Sequence, residues 1–253
     1  ENFDPAIGFV QRSNVQMLRV AGSFNPRPKQ STGIQPLQQA VFYPPFTRLD
    51  NGLVETSNLY VTLVDWHLNS GDSLHSLFDA NVTYERLFEP FEISPGVVLP
   101  AGEYRFTPWR IFFTSAQKRR IQGSIGFNFG NFWSGTAKVI QTGLSYKFPP
   151  YFSISLNTNQ TFASLPQGSF IARIYSSRVD YAASPFLSVS SLIQFDNRSE
   201  NLGLESRVRW TIEPGNDVFF IFGQGWVQDL ERGYDFRRQD SRLAMKIQYT
   251  FRF

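Results

Sequence analysis

Only two histidines occur in this chain of 253 residues, His67 and His75, and they flank the short polar stretch "NSGD", which reads as a turn. Asp65 stands two residues before His67, on the same face if that stretch is a strand. A carboxylate beside an imidazole makes a general base, because the acid fixes the ring's tautomer and stabilises its charged form. An outer-membrane hydrolase using His67 and Asp65 is therefore one reading. Against it, no serine stands out as a nucleophile, and a transition-metal site wants three or four ligands. There is no cysteine, and no glycine-rich phosphate loop or other nucleotide motif. The residues give no positive sign of a cofactor or a metal, and the leading expectation is a protein that is not an enzyme.

A larger set of polar residues sits in alternating rows. Glu205, Arg207, Arg209 and Thr211 alternate with Leu204, Val208, Trp210 and Ile212. Lys246 and Gln248 alternate with Met245, Ile247 and Tyr249, and an earlier stretch sets Asp79, Asn81, Thr83 and Glu85 on one side; Arg110 belongs to the same polar set. Such rows could line a solute pathway or a binding surface, or form an interior plugged by salt bridges.

The elements that must carry these rows are strands. Apolar residues recur at period two throughout, as in "RIQGSIGFNFG", "YFSISLNT", "FLSVSSLIQF" and "LGLESRVRWTI", while no stretch of ten residues shows helical spacing. Turn signals such as "DNG", "FPP", "ASP", "NRSEN" and "EPGN" separate them. The spacing predicts about thirteen strands of roughly nine to thirteen residues, the length a tilted strand needs to cross a bilayer. The first of them falls near "VQMLRVAGSF"; "PLQQAVFYPPF" is weakened by its prolines. Connectors alternate between short and long, with "EPFEISPGVVLPAGE" the longest, as in membrane barrels with tight periplasmic turns and longer outer loops.

This predicts an all-β fold, an antiparallel transmembrane β-barrel of the outer-membrane type, with residues 1–253 as a single domain. The C-terminus falls in the periplasm. An odd strand count then puts "ENFDPAIGF" in an outer loop and makes the chain part of a larger, even-stranded barrel completed by an upstream fragment or a second chain. Trp66, Trp109, Trp133, Tyr146, Trp210, Trp226 and Tyr249 lie near predicted turns, where amphipathic rings suit the headgroup level and would form an aromatic girdle. The alternating end Tyr249, Phe251, Phe253 has the pattern of an assembly signal read by the barrel assembly machinery through strand addition.

Composition agrees. Aromatic residues make up 16% of the chain, a large stock spread over the strands rather than gathered in one segment. No run of eighteen apolar residues is present, which excludes a spanning helix and leaves strands. The net charge of +3 comes from scattered Lys and Arg; the one compact basic run, Lys118 to Arg120, falls in a predicted turn, so nucleic acid is not an expected partner. Outer-membrane lipid is. A soluble all-β carbohydrate-binding module is the remaining alternative.

Four segments, "FDPAIGFVQRS", "YERLFEPFEISPGVVLPAGEYRF", "SRVRWTIEPGNDVFFIF" and "LAMKIQYTFRF", carry a resemblance extending over essentially the whole chain. It resembles the C-terminal barrel region of a bacterial outer-membrane family of unknown function whose members carry an N-terminal domain resembling family-nine carbohydrate-binding modules. The resemblance implies a barrel in the outer membrane, acting as a channel or as the anchor of a larger assembly, with a link to glycan binding or uptake through the N-terminal domain.

Overall fold

The computed structural model describes residues 15–24, 34–37, 39–43, 46–48, 51–62, 64–229 and 235–251. All regular structure among them is β-strand, paired antiparallel. The first twelve strands are short or interrupted: β1 (Val15–Met17), β2 (Val20–Phe24), β3 (Ile34–Leu37), β4 (Gln39–Tyr43), β5 (Phe46–Arg48), β6 (Val54–Thr62), β7 (Val64–Leu68), β8 (Ser73–Leu87), β9 (Phe91–Ser94), β10 (Val97–Leu99), β11 (Gly102–Phe106) and β12 (Pro108–Thr114). Eight continuous strands follow: β13 (Ile121–Phe132), β14 (Gly135–Phe148), β15 (Phe152–Leu165), β16 (Gly168–Ser184), β17 (Leu187–Asp196), β18 (Asn201–Glu213), β19 (Asn216–Asp229) and β20 (Asp235–Gln248).

The described residues thus hold twenty strand segments where the sequence suggests about thirteen. The surplus arises before residue 121. "VQMLRVAGSF" breaks at Leu18 and Arg19, and the described parts of "PLQQAVFYPPF" fall in β3, β4 and β5. From β13 onward the strands run from 10 to 17 residues, longer than the 5 or so typical of globular sheets. The expected outer loop "ENFDPAIGF" lies outside the described residues.

The chain divides into two compact units. The first comprises Glu1–Phe113 with Phe127–Lys138 and Phe162–Phe170. Its longest strand, β8, pairs with β6, β7 and β11. The stretch that reads as the longest loop is here a folded ribbon, β9 with β10, turned at Pro95 and Gly96. Gly96 takes a left-handed φ of 78°, and its N–H donates to Glu92 Oε1 at 2.8 Å. The ribbon buries Val97 and Leu99 with Leu165, beneath Leu87, Ile93, Tyr104, Phe132, Trp133 and Phe170. Leu99 is 0% exposed and is the one large side chain fully buried among the described residues. Close approach requires glycine at two hairpin positions. A Cβ on Gly135 would stand 2.1 Å from the Ser164 carbonyl oxygen, and one on Gly168, at φ 147°, would meet Val97 at 3.1 Å.

The second unit comprises Thr114–Gly126, Val139–Thr161 and Ile171–Phe253. Here β16, β17, β18, β19 and β20 pair in sequence order. β20 pairs with β19 alone among the described residues, and its fourteen residues are exposed along their whole length. One set of connectors is tight: Pro149 to Tyr151, Pro185 with Phe186, and Pro214 with Gly215, the last at φ 96°. The alternation of connector length is weaker than the sequence suggests, because β15 and β16 extend into "SLPQGS" and leave only Pro166 and Gln167 between them.

Alternation on β13 and β14 is inverted relative to a globular sheet, whereas on β18 Glu205, Arg207 and Arg209 are exposed and Leu204 and Val208 half-buried. On β13, Ile121 is 64% exposed and Ile125 is exposed too, while Gln122 and Ser124 between them are half-buried. On β14, Ile140, Leu144, Tyr146 and Phe148 are exposed, while Gln141, Ser145 and Lys147 are half-buried. An exposed apolar surface of this extent marks an interaction face.

The packing of the β9–β10 ribbon leads to a stability prediction. Leu99→Ala should lower the unfolding free energy by about 2–5 kcal/mol, since it removes a buried side chain and leaves a cavity. Val98→Ala, one residue away but exposed, should change it by no more than about 0.5 kcal/mol. Equilibrium unfolding followed by tryptophan fluorescence checks both.

Candidate functional site

The β7–β8 hairpin is closed by the turn between Leu68 and Ser73. The Leu68 N–H donates to the Asp72 carbonyl and the Gly71 N–H to the Leu68 carbonyl, both at 2.8 Å, and the Ser70 hydroxyl donates to Asp72 at 2.7 Å. His67 lies opposite Ser73, and Trp66 opposite Leu74. Two steps on the register slips, with Val64 opposite Leu77, so β8 carries an extra residue across from Asp65. Such a bulge re-aims side chains. Asp65, His67 and His75 consequently meet on one face: His75 Nδ1 donates to Asp65 Oδ1 at 2.5 Å, and His67 Nε2 stands 3.4 Å from the same oxygen. The two rings meet edge to face with centroids 5.0 Å apart, and Phe112 lies 6.5 Å beyond His75.

The closer partner of Asp65 is thus His75, not the His67 that its position two residues away on the same strand suggests. The bulge is what strand alternation cannot reveal. Ser73 shares the face, yet its hydroxyl bonds neither imidazole among the described residues, so the group lacks the nucleophile-to-base hydrogen bond of a hydrolytic triad.

A second polar grouping lies on one face of the second unit. Register places Arg178 and Asp180 of β16, Ser188 and Ser190 of β17, Glu205, Arg207, Arg209 and Thr211 of β18, and Lys246 and Gln248 of β20 on this side. Asp217 of β19 is 6% exposed and takes a two-pronged bond from Arg209, at 3.0 Å from Nε and 2.9 Å from Nη2, with the Thr211 hydroxyl donating at 2.5 Å. Arg178 Nε reaches both Asp180 oxygens, at 3.1 and 3.0 Å. Above them opens a cavity of about 600 Å³ bordered by Lys147, Arg178, Arg207 and Arg209 with Asp180 as its one acid. Arg207 and Lys147 have no carboxylate partner among the described residues, so the cavity is cationic. Lys246 lies over the Phe219 ring at 6.0 Å.

The opposite face of the same strands is apolar. It presents Val189 and Ile193, Leu204 and Val208, Phe220 and Phe222, and Leu243, Met245 and Ile247. Leu243 is 78% exposed. Aromatic residues stand at both ends of this band. Tyr175, Phe195 and Trp226 mark one end, with Phe236 at 6.2 Å from Phe195; Tyr181, Trp210, Tyr249 and Phe251 mark the other, the last two in contact at 4.7 Å. Leu202, which faces Trp226, is eight residues from Trp210 along β18, a separation of about 27 Å at the ordinary strand rise. Three polar side chains within the band are tied off. Ser191 and Ser206 bond each other at 2.9 Å, and Gln224 donates to the Gly225 and Asp240 carbonyls at 3.1 and 2.5 Å, beside the β19–β20 bulge.

The remaining sequence-selected residues are dispersed in the first unit. Glu85 accepts from Thr56 at 2.6 Å. Arg110 stacks over Phe112 at 5.0 Å. Trp66 is half-buried in β7, and Trp109 is exposed on β12. Trp133 does not stand on an open face. It sits at a hairpin tip with φ 51° and packs with Phe91, Tyr104 and Phe106 over the β9–β10 ribbon. Asp79 lies in β8 with its side chain outside the described ones, and Phe253 lies outside the described residues altogether. Asp217 escapes a reading of single strands, because it and Arg209 meet only once the Pro214–Gly215 turn folds β19 back on β18, whereas Arg178 and Asp180, two apart on β16, were open to the same alternation. No protein-family model and no curated protein matches the chain.

The hairpin geometry predicts a proton spectrum. A downfield resonance from the His75 Nδ1–H should persist in His67→Ala and vanish in both His75→Ala and Asp65→Ala, as read by proton NMR of the folded chain.

Proposed function

We propose that the chain forms the wall of a bacterial outer-membrane β-barrel whose inner face lines a pathway for solute. The observation that carries this reading is the two-sided sheet of β16–β20: an apolar band about 27 Å long along the strands, about 19–22 Å high at a barrel tilt of about 35–45°, exposed at Phe220, Phe222, Leu243, Met245 and Ile247 and edged by aromatic residues, backs onto a cationic polar face. A barrel in an outer membrane presents an apolar band about 25 Å tall between aromatic girdles and a polar interior. Arginine and lysine on the inner face would favour anionic solutes. The tied-off serines and Gln224 fit the same setting, since hydrocarbon offers no hydrogen-bond partners.

The likeness of "YERLFEPFEISPGVVLPAGEYRF" and "LAMKIQYTFRF" to an outer-membrane family supports this location, with the Phe253 end in the periplasm and the alternating aromatic end read by the barrel assembly machinery. It also suggests a link to glycan uptake. An open strand edge is not sustained in lipid. The reading therefore places a further strand, from this chain, an upstream segment or a second chain, along the edge of β20, which pairs with β19 alone among the described residues.

Detergent provides the first test: a folded chain that stays monodisperse in water without it overturns the membrane reading, including in favour of a soluble carbohydrate-binding module. Planar-bilayer recording of the completed barrel should give conductance biased toward anions; a silent barrel leaves the anchor role instead. Substitution separates the two faces. Leu243→Arg, near the middle of the apolar band, should destabilise folding into lipid vesicles by about 2–4 kcal/mol. Ala244→Arg, on the polar face beside it, should cost less than about 1 kcal/mol.

A further inference from the structure

We propose that Asp65, His67 and His75 form a binding site for one divalent transition metal of the zinc, nickel and copper class, with water completing its coordination. The site stands apart from the membrane reading, because it depends only on the β7–β8 hairpin.

The donor set is the first argument. The chain has two imidazoles and no thiol, and both imidazoles converge on one carboxylate. The three ligating atoms lie within 4.8 Å of one another. Two imidazoles with a carboxylate suit zinc, nickel and copper rather than calcium or magnesium, which take oxygen.

Spacing is the second. A hydrogen-bonded His–Asp pair explains one imidazole at 2.5 Å from Asp65; it does not explain the second, whose Nε2 stands 3.4 Å from the same oxygen. Ligands at about 2.0–2.1 Å from a tetrahedral ion stand about 3.3 Å apart, the spacing His67 and Asp65 already have. The edge-to-face rings, at 75°, keep the imidazole planes from stacking and let their lone pairs converge. Metal entry then needs the Asp65–His75 contact to widen by less than about 1 Å, with the ion replacing the proton between them.

Support and access complete the case. The ligands sit on two hydrogen-bonded strands joined by a tight turn, so their backbones are fixed before an ion arrives. Among the described residues Asp65 has no lysine or arginine partner competing for its charge. The His67 and His75 side chains are 42% and 31% exposed, which leaves room for one or more waters on the open side. Sites with three protein ligands and a water in the remaining position are those where an ion can also bind an outside ligand.

The test uses the full folded chain. Zinc is titrated in competition with a chromophoric chelator, and copper(II) is followed by electron paramagnetic resonance. The expected result is one zinc per chain, with a copper spectrum showing coupling to two imidazole nitrogens. His67→Ala, His75→Ala and Asp65→Asn should each weaken zinc at least about tenfold, the loss typical of even outer-shell changes at metal sites. Circular dichroism confirms that each variant keeps its strands, and the wild-type copper spectrum reads the donors without any substitution. Absence of stoichiometric binding to the wild type, a copper spectrum lacking two-nitrogen coupling, or unchanged binding in His67→Ala/His75→Ala overturns the proposal.

Discussion

The antiparallel backbone ladder of β16 to β20 is the constraint on which the rest of the second unit depends. It satisfies the main-chain N–H and C=O groups between strands, so neither face of the sheet has to do so. The side chains are therefore free to separate completely, apolar to one side and charged to the other. A globular sheet would cover its apolar face with a second layer. Here that face stays open, and three of its polar groups are closed off, in a pair or onto carbonyls. The same economy explains why the stock of aromatic residues produces so small a core: most of it stands on the outside.

The first unit works by a different rule. Its ladders carry register slips, and its order comes from a compact apolar cluster around Leu99. The β9–β10 ribbon supplies that cluster, with glycines at two hairpin positions allowing the backbones to close in. One register slip in this unit has a chemical consequence as well. By placing an extra residue across from Asp65, it turns His75 toward the carboxylate and assembles three potential ligands from a turn that otherwise looks ordinary.

Charge on the polar face is organised by short-range pairing. Arg209 with Asp217, and Arg178 with Asp180, hold two acids against two guanidinium groups. Arg207 and Lys147 remain to give the cavity its sign. A face of this kind is neither neutral nor locked, as the proposed anion pathway requires.

How much of this was legible follows the range of the interactions. Strand positions from residue 121 onward could be read within a few residues, since "LGLESRVRWTI" falls inside β18 and "FLSVSSLIQF" lies in β17 from Leu187 on, and alternation assigned Glu205, Arg207, Arg209, Lys246 and Gln248 to one side. Period two is a local property, fixed by backbone geometry and carried by neighbouring residues. The packing of Trp133 over the ribbon, the folding of the "EPFEISPGVVLPAGE" loop, the pairing of Arg209 with Asp217 and the meeting of His75 with Asp65 were not legible. Each joins residues whose proximity is set by a turn, a bulge or a packed layer. The sequence by itself determined strands and their two faces, because alternation needs only adjacent residues; the tertiary structure alone decided which polar groups meet, because that depends on register between strands, where a single extra residue changes every partner.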